Sequence, residues 1–270
     1  LDKPVAEQYW YFLKNAFRGD LGDSFIYGEP ALKLILEKMP ATLELALLSL
    51  FISLIVAIPL GIYAGYKPES KVSKTIMAGS ILGFSMPTFW VGIIFIMFFA
   101  VFLGWFPTTG RGEIGTFLGI NSSLFTLNGL SHVFLPALNL ALFKISSVIR
   151  LTRAGTREII LQDYITFARA KGLTERRVVL VHILKNILIP IVTVVGLEFG
   201  SLIAFSTVTE TVFAWPGMGK LIIDSIYNLD RPVIVAYLMI IVTFFVFLNL
   251  IVDILYSLLD PRVRVQGKNQ

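Results

Sequence analysis

The sequence predicts an all-α integral membrane protein, and three observations carry this prediction. Hydrophobic residues make up 56% of the 270 residues, and only 15% are charged. A soluble globular chain carries about 25% charged residues, so this chain is not built to meet water on every side. Uncharged runs recur along it, and a membrane-spanning helix needs roughly 20 mostly apolar residues. Cysteine is absent, which excludes disulfides and thiolate chemistry.

The order of elements begins with an external segment, 1–38, expected to contain short amphipathic helices. Its Tyr9-Trp10-Tyr11 run favours the membrane interface, where amphipathic aromatic rings collect. One transmembrane domain, 39–260, and a tail, 261–270, are predicted to follow. The five spans expected in that domain are about 41–65, 75–103, 133–156, 187–208 and 232–258.

The basic residues orient these spans. The stretches 67–74, 150–186 and 260–270 hold 14 of the 23 lysines and arginines, so the positive-inside rule makes them cytoplasmic. The net charge of +5 is then a matter of topology, which argues against nucleic-acid binding. Residues 1–38 fall outside. Because no signal peptide or start methionine precedes Leu1, we expect one further helix ahead of it.

The most informative pattern lies in the cytoplasmic loop 158–186. Residues 158–171 are predicted to be helical, and Gly172 suits a left-handed helix cap with Leu173 as its hydrophobic companion. Thr174 can then cap a second helix. Such a helical knob can seat in a groove on a soluble partner. From spacing alone, a solvated basic loop that serves only topology is an equal alternative.

This loop resembles the EAA loop of permeases from binding-protein-dependent ABC importers, whose pattern is EAA, three residues and Gly. Thr166, Phe167 and Ala168 occupy the EAA positions, and Gly172 is the glycine. The replaced glutamate puts a specific ionic contact in doubt, not the docking itself. The resemblance assigns coupling to the ATPase to Thr166, Phe167, Ala168, Arg169, Ala170, Lys171, Gly172 and Leu173.

Further short motifs extend the resemblance over about residues 1–264, and they are similar to those of the dipeptide, oligopeptide and nickel permeases. In order they are Arg18-Gly19-Asp20-Leu21-Gly22 with Ser24, Pro40-Ala41-Thr42-Leu43-Glu44-Leu45, Ser85-Met86-Pro87-Thr88-Phe89-Trp90, Glu210-Thr211-Val212-Phe213-Ala214-Trp215-Pro216-Gly217-Met218-Gly219 and Leu259-Asp260-Pro261-Arg262. The resemblance is to the first permease subunit type. It implies a type I ABC importer permease fold with six spans, one more than this chain shows.

The same resemblance implies a subunit that forms half of a translocation path for peptides, or for nickel or other small cargo. The implied partners are a second homologous permease, two ABC ATPase subunits, an extracytoplasmic substrate-binding protein and the lipid bilayer. The implied location is a bacterial or archaeal cytoplasmic membrane, and no nucleic acid is expected. Among these cargoes peptides are expected, although no residue of the sequence selects them.

Nucleotide chemistry is expected to reside in the partners. No G-x-x-x-x-G-K-[ST] phosphate loop occurs, so ATP and Mg²⁺ are assigned to the ATPase subunits. We expect this chain to bind no cofactor and to have no enzymatic activity. His132 and His182 are single histidines, and no metal site is expected.

A translocation path or gate is the interpretation for charged and turn-forming residues near the spans. Ionisable groups within a membrane are costly and suggest function. Lys144 can instead snorkel or pair with Glu198. The turn at Pro216-Gly217 can dip into the membrane as a gate, although a structural cap on the outer face is favoured. The candidates are Glu198, Glu210, Phe213, Trp215, Pro216 and Gly217.

Three spans contain glycines four residues apart, a spacing that lets helix backbones approach closely. Ordinary packing within the bundle is favoured over a dedicated dimerisation face. The pairs are Gly61/Gly65, Gly79/Gly83 and Gly196/Gly200.

Rival functions fit less well. An ATP-independent secondary transporter or channel predicts more intramembrane ionisable residues and inverted repeats, and no convincing repeat is visible. A membrane scaffold would tolerate scrambling of the cytoplasmic loop. A membrane enzyme lacks both the Gly-x-Ser-x-Gly elbow and the H-E-x-x-H pair.

Overall fold

The computed structural model describes residues 4–259. The tail predicted at 261–270 and most of the last motif therefore lie outside the described residues. A long series of helices is interrupted by one small hairpin. In chain order the elements are α1 (Val5–Ala16), α2 (Ala31–Tyr66), α3 (Lys71–Ser85), α4 (Thr88–Phe95) continuing as a π-helix (Ile96–Phe102), β1 (Gly115–Phe117), β2 (Ile120–Ser122), a 3-10 turn (Ser123–Phe125), α5 (Leu127–Ile160), α6 (Asp163–Ala170), α7 (Glu175–Arg177) continuing as a π-helix (Val178–Ile183), α8 (Leu184–Val212), α9 (Met218–Tyr227) and α10 (Arg231–Leu259).

The all-α membrane architecture predicted from the sequence is confirmed. Among the described residues, three helices are long and apolar enough to cross a membrane, namely α2, α5 and 231–254 of α10. Two helix pairs meet the same criterion jointly, each bent at a short break. Counting each bent pair as one span gives five, the number expected from composition.

The second predicted span, 75–103, is not one straight helix. Its helices, Lys71–Ser85 and Thr88–Phe102, are bent by 104° at the break between them. Proline at 87 explains the break, because a residue that precedes proline avoids the helical region. Met86 accordingly has φ −85° and ψ 135°, an extended conformation.

The first spanning helix starts earlier than expected. α2 begins at Ala31, ahead of the predicted span at 41–65, so the external segment has a single full helix, α1. Just before α2, Asp23 and Pro30 form an antiparallel bridge, and the N–H of Ala31 donates to the Gly22 carbonyl at 2.9 Å.

The single helix predicted over 158–171 is wrong, because α5 ends at Ile160 and α6 begins at Asp163. Gln162 between them is extended, with φ −75° and ψ 143°, and its carbonyl accepts the first hydrogen bonds of α6. The turn buries the Ile165 side chain completely. A continued α5 would not place that side chain in the same apolar core.

The described chain forms two compact units. The first contains residues 4–45, 96–136 and 203–246, and the second contains 46–95, 137–202 and 247–259. Within the first unit, the buried carboxylate of Asp230 accepts hydrogen bonds of 2.5 Å from the Ser24 hydroxyl and 3.2 Å from the Phe25 N–H. These contacts fasten the segment before α2 to the start of α10.

An apolar core lies within the second unit, and residues of both the spans and the cytoplasmic loop contribute to it. Ile165, Val178 and Ile183 of the loop region are buried in it beside residues of α2, α5 and α8. The other buried members are Ala57, Val148, Ile149, Ile187, Ile191 and Val195. The loop after α5 is therefore packed against the membrane helices and is not a freely solvated connection.

The glycines of α2 allow its close contact with α5. A Cβ placed on Gly61 would stand 2.5 Å from the Cβ of Thr152, and one on Gly65 would stand 2.6 Å from that of Thr156. Real side chains do not approach so closely. This pair therefore serves packing within the bundle, whereas a Cβ on Gly79 would meet nothing within 4 Å.

Candidate functional site

The predicted cap at Gly172 is confirmed. Gly172 has φ +78°, and its N–H donates to the Arg169 carbonyl at 2.9 Å. The N–H of Leu173 donates to the Ala168 carbonyl at 3.3 Å, which completes a Schellman motif at the end of α6. Thr174 has the extended backbone of an N-cap residue, but its hydroxyl forms no capping hydrogen bond, contrary to expectation.

The eight predicted coupling residues divide into an inner and an outer set. Ala168 is buried, whereas Arg169 and Leu173 are half-buried. Phe167 is 61% exposed, and the Lys171 ammonium lies 4.5 Å from the centre of its ring. The remaining outward residues are Thr166, Ala170 and Gly172. The loop thus leaves an aromatic side chain, Phe167, and a basic side chain, Lys171, exposed on its outer surface.

A polar cluster joins this loop to the end of α2. Arg169 pairs with Glu175 through its Nε, 3.0 Å from Oε1, and its second nitrogen, 3.4 Å from Oε2. The Tyr66 hydroxyl also donates a hydrogen bond to Oε2 of Glu175. Hydrogen bonding to Glu175 raises the pKa of Arg169 above its ordinary value, so the guanidinium stays charged. We name this set the Tyr66–Glu175–Arg169 cluster.

Lys144 and Glu198 form an ion pair, one of the two roles predicted for Lys144. The Lys144 ammonium lies 3.2 Å from Glu198 Oε2 and donates to the Ser201 hydroxyl at 2.9 Å. The lysine side chain is 7% exposed and that of the glutamate is 29% exposed. Because the lysine is almost fully enclosed, its charge is compensated inside the second unit and does not snorkel to water.

Glu210 is fully buried in the first unit and accepts three hydrogen bonds. The donors are the hydroxyls of Thr42 at 2.7 Å and Ser206 at 3.0 Å, and the backbone N–H of Lys220 at 3.0 Å. The Thr42 hydroxyl also accepts from the Met218 N–H at 2.8 Å. The carboxylate therefore ties together the start of α2, the end of α8 and the start of α9.

The turn after α8 is packed inward. The Trp215 side chain is fully buried, and its indole N–H donates to the Ala41 carbonyl at 2.9 Å. Phe213 is 2% exposed, and Pro216 is half-buried. A Cβ on Gly217 would stand 2.4 Å from Glu210 Oε2, so only glycine fits there. Packing and hydrogen bonds within the first unit therefore hold this turn in place.

Glu44 is a further buried carboxylate of the first unit, besides Glu210 and Asp230, and the sequence did not single it out. Glu44 pairs with Arg111 at 2.5 Å and 3.1 Å and accepts from the Ser123 hydroxyl at 2.8 Å. The signal was available, because Glu44 is an acidic residue inside the predicted span 41–65. This pair anchors the loop before β1 to α2 at Glu44, three residues after Ala41, whose carbonyl accepts from Trp215.

The structure thus assembles the predicted residues at separate places. The coupling residues form one knob, Glu210 shares the inward-packed turn with Phe213 and Trp215, and Glu198 joins Lys144. Among residues 4–259, no group of three or more histidines, aspartates and glutamates is placed to hold a metal ion.

Comparison with known proteins gives matches over most of the chain. The family model described as "Binding-protein-dependent transport system inner membrane component" matches residues 57–265. The di/tripeptide transport system permease protein DppB of Pseudomonas aeruginosa is 39% identical, over 98% of this chain and 83% of the relative. The oligopeptide transport system permease protein AppB of Bacillus subtilis is 40% identical, over 97% of this chain and 82% of the relative.

Solved structures support the fold. A chain of the MetNI methionine ABC transporter in an inward-facing conformation superposes with a TM-score of 0.68 at 18% identity. That match covers 85% of this chain and 97% of the other. At this identity the likeness concerns architecture and carries no information on cargo.

Proposed function

The chain belongs to the family of binding-protein-dependent transport system inner membrane components, and from that premise we propose that it lines half of the path of an ABC importer for di- and oligopeptides. The observation that carries the proposal is its similarity, over nearly the whole chain, to permeases of di/tripeptide and oligopeptide transport systems.

The proposed assembly contains a second homologous permease, two ABC ATPase subunits and an extracytoplasmic binding protein, in a bacterial or archaeal cytoplasmic membrane. ATP and Mg²⁺ are held by the ATPase subunits, and this chain has no catalytic role. The knob around Thr166–Leu173 docks on an ATPase. Its outward Phe167 and Lys171 supply an apolar surface and a charge for that contact, while the inward Ala168 and Leu173 hold it on the bundle.

The proposed mechanism is alternating access. A ligand shifts a conformational equilibrium only through its different affinity for the two states. ATP binding to the partners supplies that difference, and the docked knob transmits it to the spans. Of the predicted path residues, Glu198 is the one that we retain for contact with cargo, because its side chain is partly exposed beside Lys144. We assign Glu210, Phe213, Trp215, Pro216 and Gly217 to holding the outer turn in place.

Purification from the native membrane in mild detergent, followed by mass spectrometry of the intact assembly, tests the proposal. The expected assembly contains this chain, one other permease and two ATPase chains, with a binding protein captured when peptide is present. Recovery of the chain alone, active in liposomes without ATP, would support the secondary transporter instead.

A further inference from the structure

The docking knob is joined to the bundle both along the chain and through side-chain contacts. Along the chain, it follows α5 through Leu161 and Gln162, which form a turn, and it continues through α7 and the π-helix into α8. In space, the Tyr66–Glu175–Arg169 cluster joins it to the last residue of α2, which lies 109 positions before Glu175. These covalent links and the apolar core hold the knob on the bundle, whereas the cluster is the polar contact that joins it to the end of α2.

The α2 end of this attachment is closely packed against α5. Tyr66 follows Gly65, where a Cβ would stand 2.6 Å from the Thr156 Cβ and 2.8 Å from the Arg153 carbonyl. Close-packed surfaces of this kind transmit displacement because they have no free volume to absorb it. A force applied to Tyr66 therefore acts on α2 and α5 together.

On the loop side, the cluster is formed by Glu175 and Arg169. Glu175 begins α7, directly before the π-helix that leads into α8. Arg169 lies on α6 beside the exposed docking face, and it engages both oxygens of Glu175. The cluster thus connects the docking helix, the entrance to α8 and the end of α2 through three side chains.

We propose that the Tyr66–Glu175–Arg169 cluster transmits movement of the docked knob to α2 and α5, and that Tyr66 is a positioning residue for the coupling of ATP hydrolysis to transport. The inference rests on the proposed function and concerns how that function is driven. It assigns Tyr66 no contact with ATP or cargo. The apolar core beneath the knob keeps the knob attached, and the cluster fixes its angle relative to α2.

Tyr66→Phe is the informative variant, because it removes one hydroxyl and leaves the ring packed against the core. Tyr63→Phe is the matched control. Tyr63 lies on the same helix, is 37% exposed, and its hydroxyl forms no hydrogen bond within the described part of the chain. Both variants are made in the complete transporter, purified with its ATPase subunits and reconstituted with its binding protein. The measured quantity is the number of dipeptide molecules transported per ATP hydrolysed, together with subunit stoichiometry and melting temperature.

The expected result for Tyr66→Phe is unchanged assembly and continued ATP hydrolysis, with transported dipeptide per ATP lowered about three- to tenfold, within the range of mutations along coupling networks. Tyr63→Phe keeps the wild-type ratio. An unchanged ratio in Tyr66→Phe overturns the inference. So does an equal loss of hydrolysis and transport with a lower melting temperature, which would show a structural role only. If the wild-type complex itself shows no ATP-dependent uptake, the proposed function fails and the inference with it.

Discussion

The hydroxyl of Thr42 donates a 2.7 Å hydrogen bond to Glu210, a carboxylate 168 positions away that no solvent reaches. The same hydroxyl accepts from the Met218 N–H, so one atom serves both the end of α8 and the start of α9. A buried carboxylate is tolerated only when it is hydrogen-bonded. Thr42 is therefore central to the outer turn that the sequence identified as a cap or a gate.

Thr42→Val should destabilise the protein, because it keeps the side-chain shape but removes one of the three hydrogen bonds that Glu210 accepts and leaves the Met218 N–H without its partner. Leaving a buried polar group unsatisfied costs about 1–3 kcal/mol, and more for a charged group. The measurement is thermal unfolding of the purified protein in detergent. Thr211→Val is the control, because that hydroxyl is exposed and bonds only to the Thr207 carbonyl of its own helix. Equal melting temperatures for the two variants would show that Thr42 has no special role.

Comparing Gly61→Ala with Gly79→Ala separates the effect of helix packing on stability from the effect of helix propensity. Both positions lie inside helices, so alanine gives each about 1 kcal/mol of intrinsic helix preference. Only at Gly61 would the added Cβ collide, at 2.5 Å from the Thr152 Cβ and 2.9 Å from the Ile149 carbonyl. Overpacking costs about 1–3 kcal/mol, so Gly61→Ala should lower the melting temperature while Gly79→Ala leaves it equal or higher. A lowered melting temperature only for Gly79→Ala would contradict the close contact between α2 and α5.

The Lys144–Glu198 pair should show coupling in a double-mutant cycle. Lys144→Met and Glu198→Gln each remove one partner and leave the other in a poorly solvated place, whereas the double variant removes the pair together. Contacting residues show interaction energies of about 0.5–3 kcal/mol, so the double variant should cost less than the two single variants summed. Unfolding free energies of the four proteins provide the check. Strict additivity would mean that the ion pair does not stabilise the fold.

The left-handed cap makes a prediction for activity. Gly172→Val places a β-branched residue at φ +78°, and a left-handed backbone costs L-residues about 1–2 kcal/mol. A Cβ there meets nothing within 4 Å, so the effect comes from the backbone alone. We expect ATP-driven uptake to fall in Gly172→Val and to survive largely in Gly172→Asn, since asparagine tolerates this conformation. Similar uptake in both variants would count against the cap as the feature that positions the knob.

Much of the fold could be predicted because membrane helices are set by composition and length. The cap at Gly172 was equally accessible, since a glycine followed by leucine at a helix end is a local signal. The break at Gln162 was not, because it depends on burying Ile165 in a core assembled from distant helices.

The contacts of the site were harder to predict for the same reason. Pairing of Lys144 with Glu198 remained one alternative because it depends on the register between α5 and α8. The contact between Tyr66 and Glu175 could not be predicted, because no sequence pattern links two residues that lie 109 positions apart. Glu44 was overlooked although its acidic side chain lay within a predicted span, where any charge indicates a partner.

The most direct test of ATP-driven peptide import by this protein is the initial rate of uptake of a labelled dipeptide into liposomes that contain the complex purified from its native membrane. The binding protein is added outside, and ATP is trapped inside. We expect uptake that requires both the trapped ATP and the binding protein and that is abolished when the ATPase subunits are inactivated. Uptake that persists without ATP, or that follows an ion gradient alone, would contradict the assignment of this chain as an ABC importer permease.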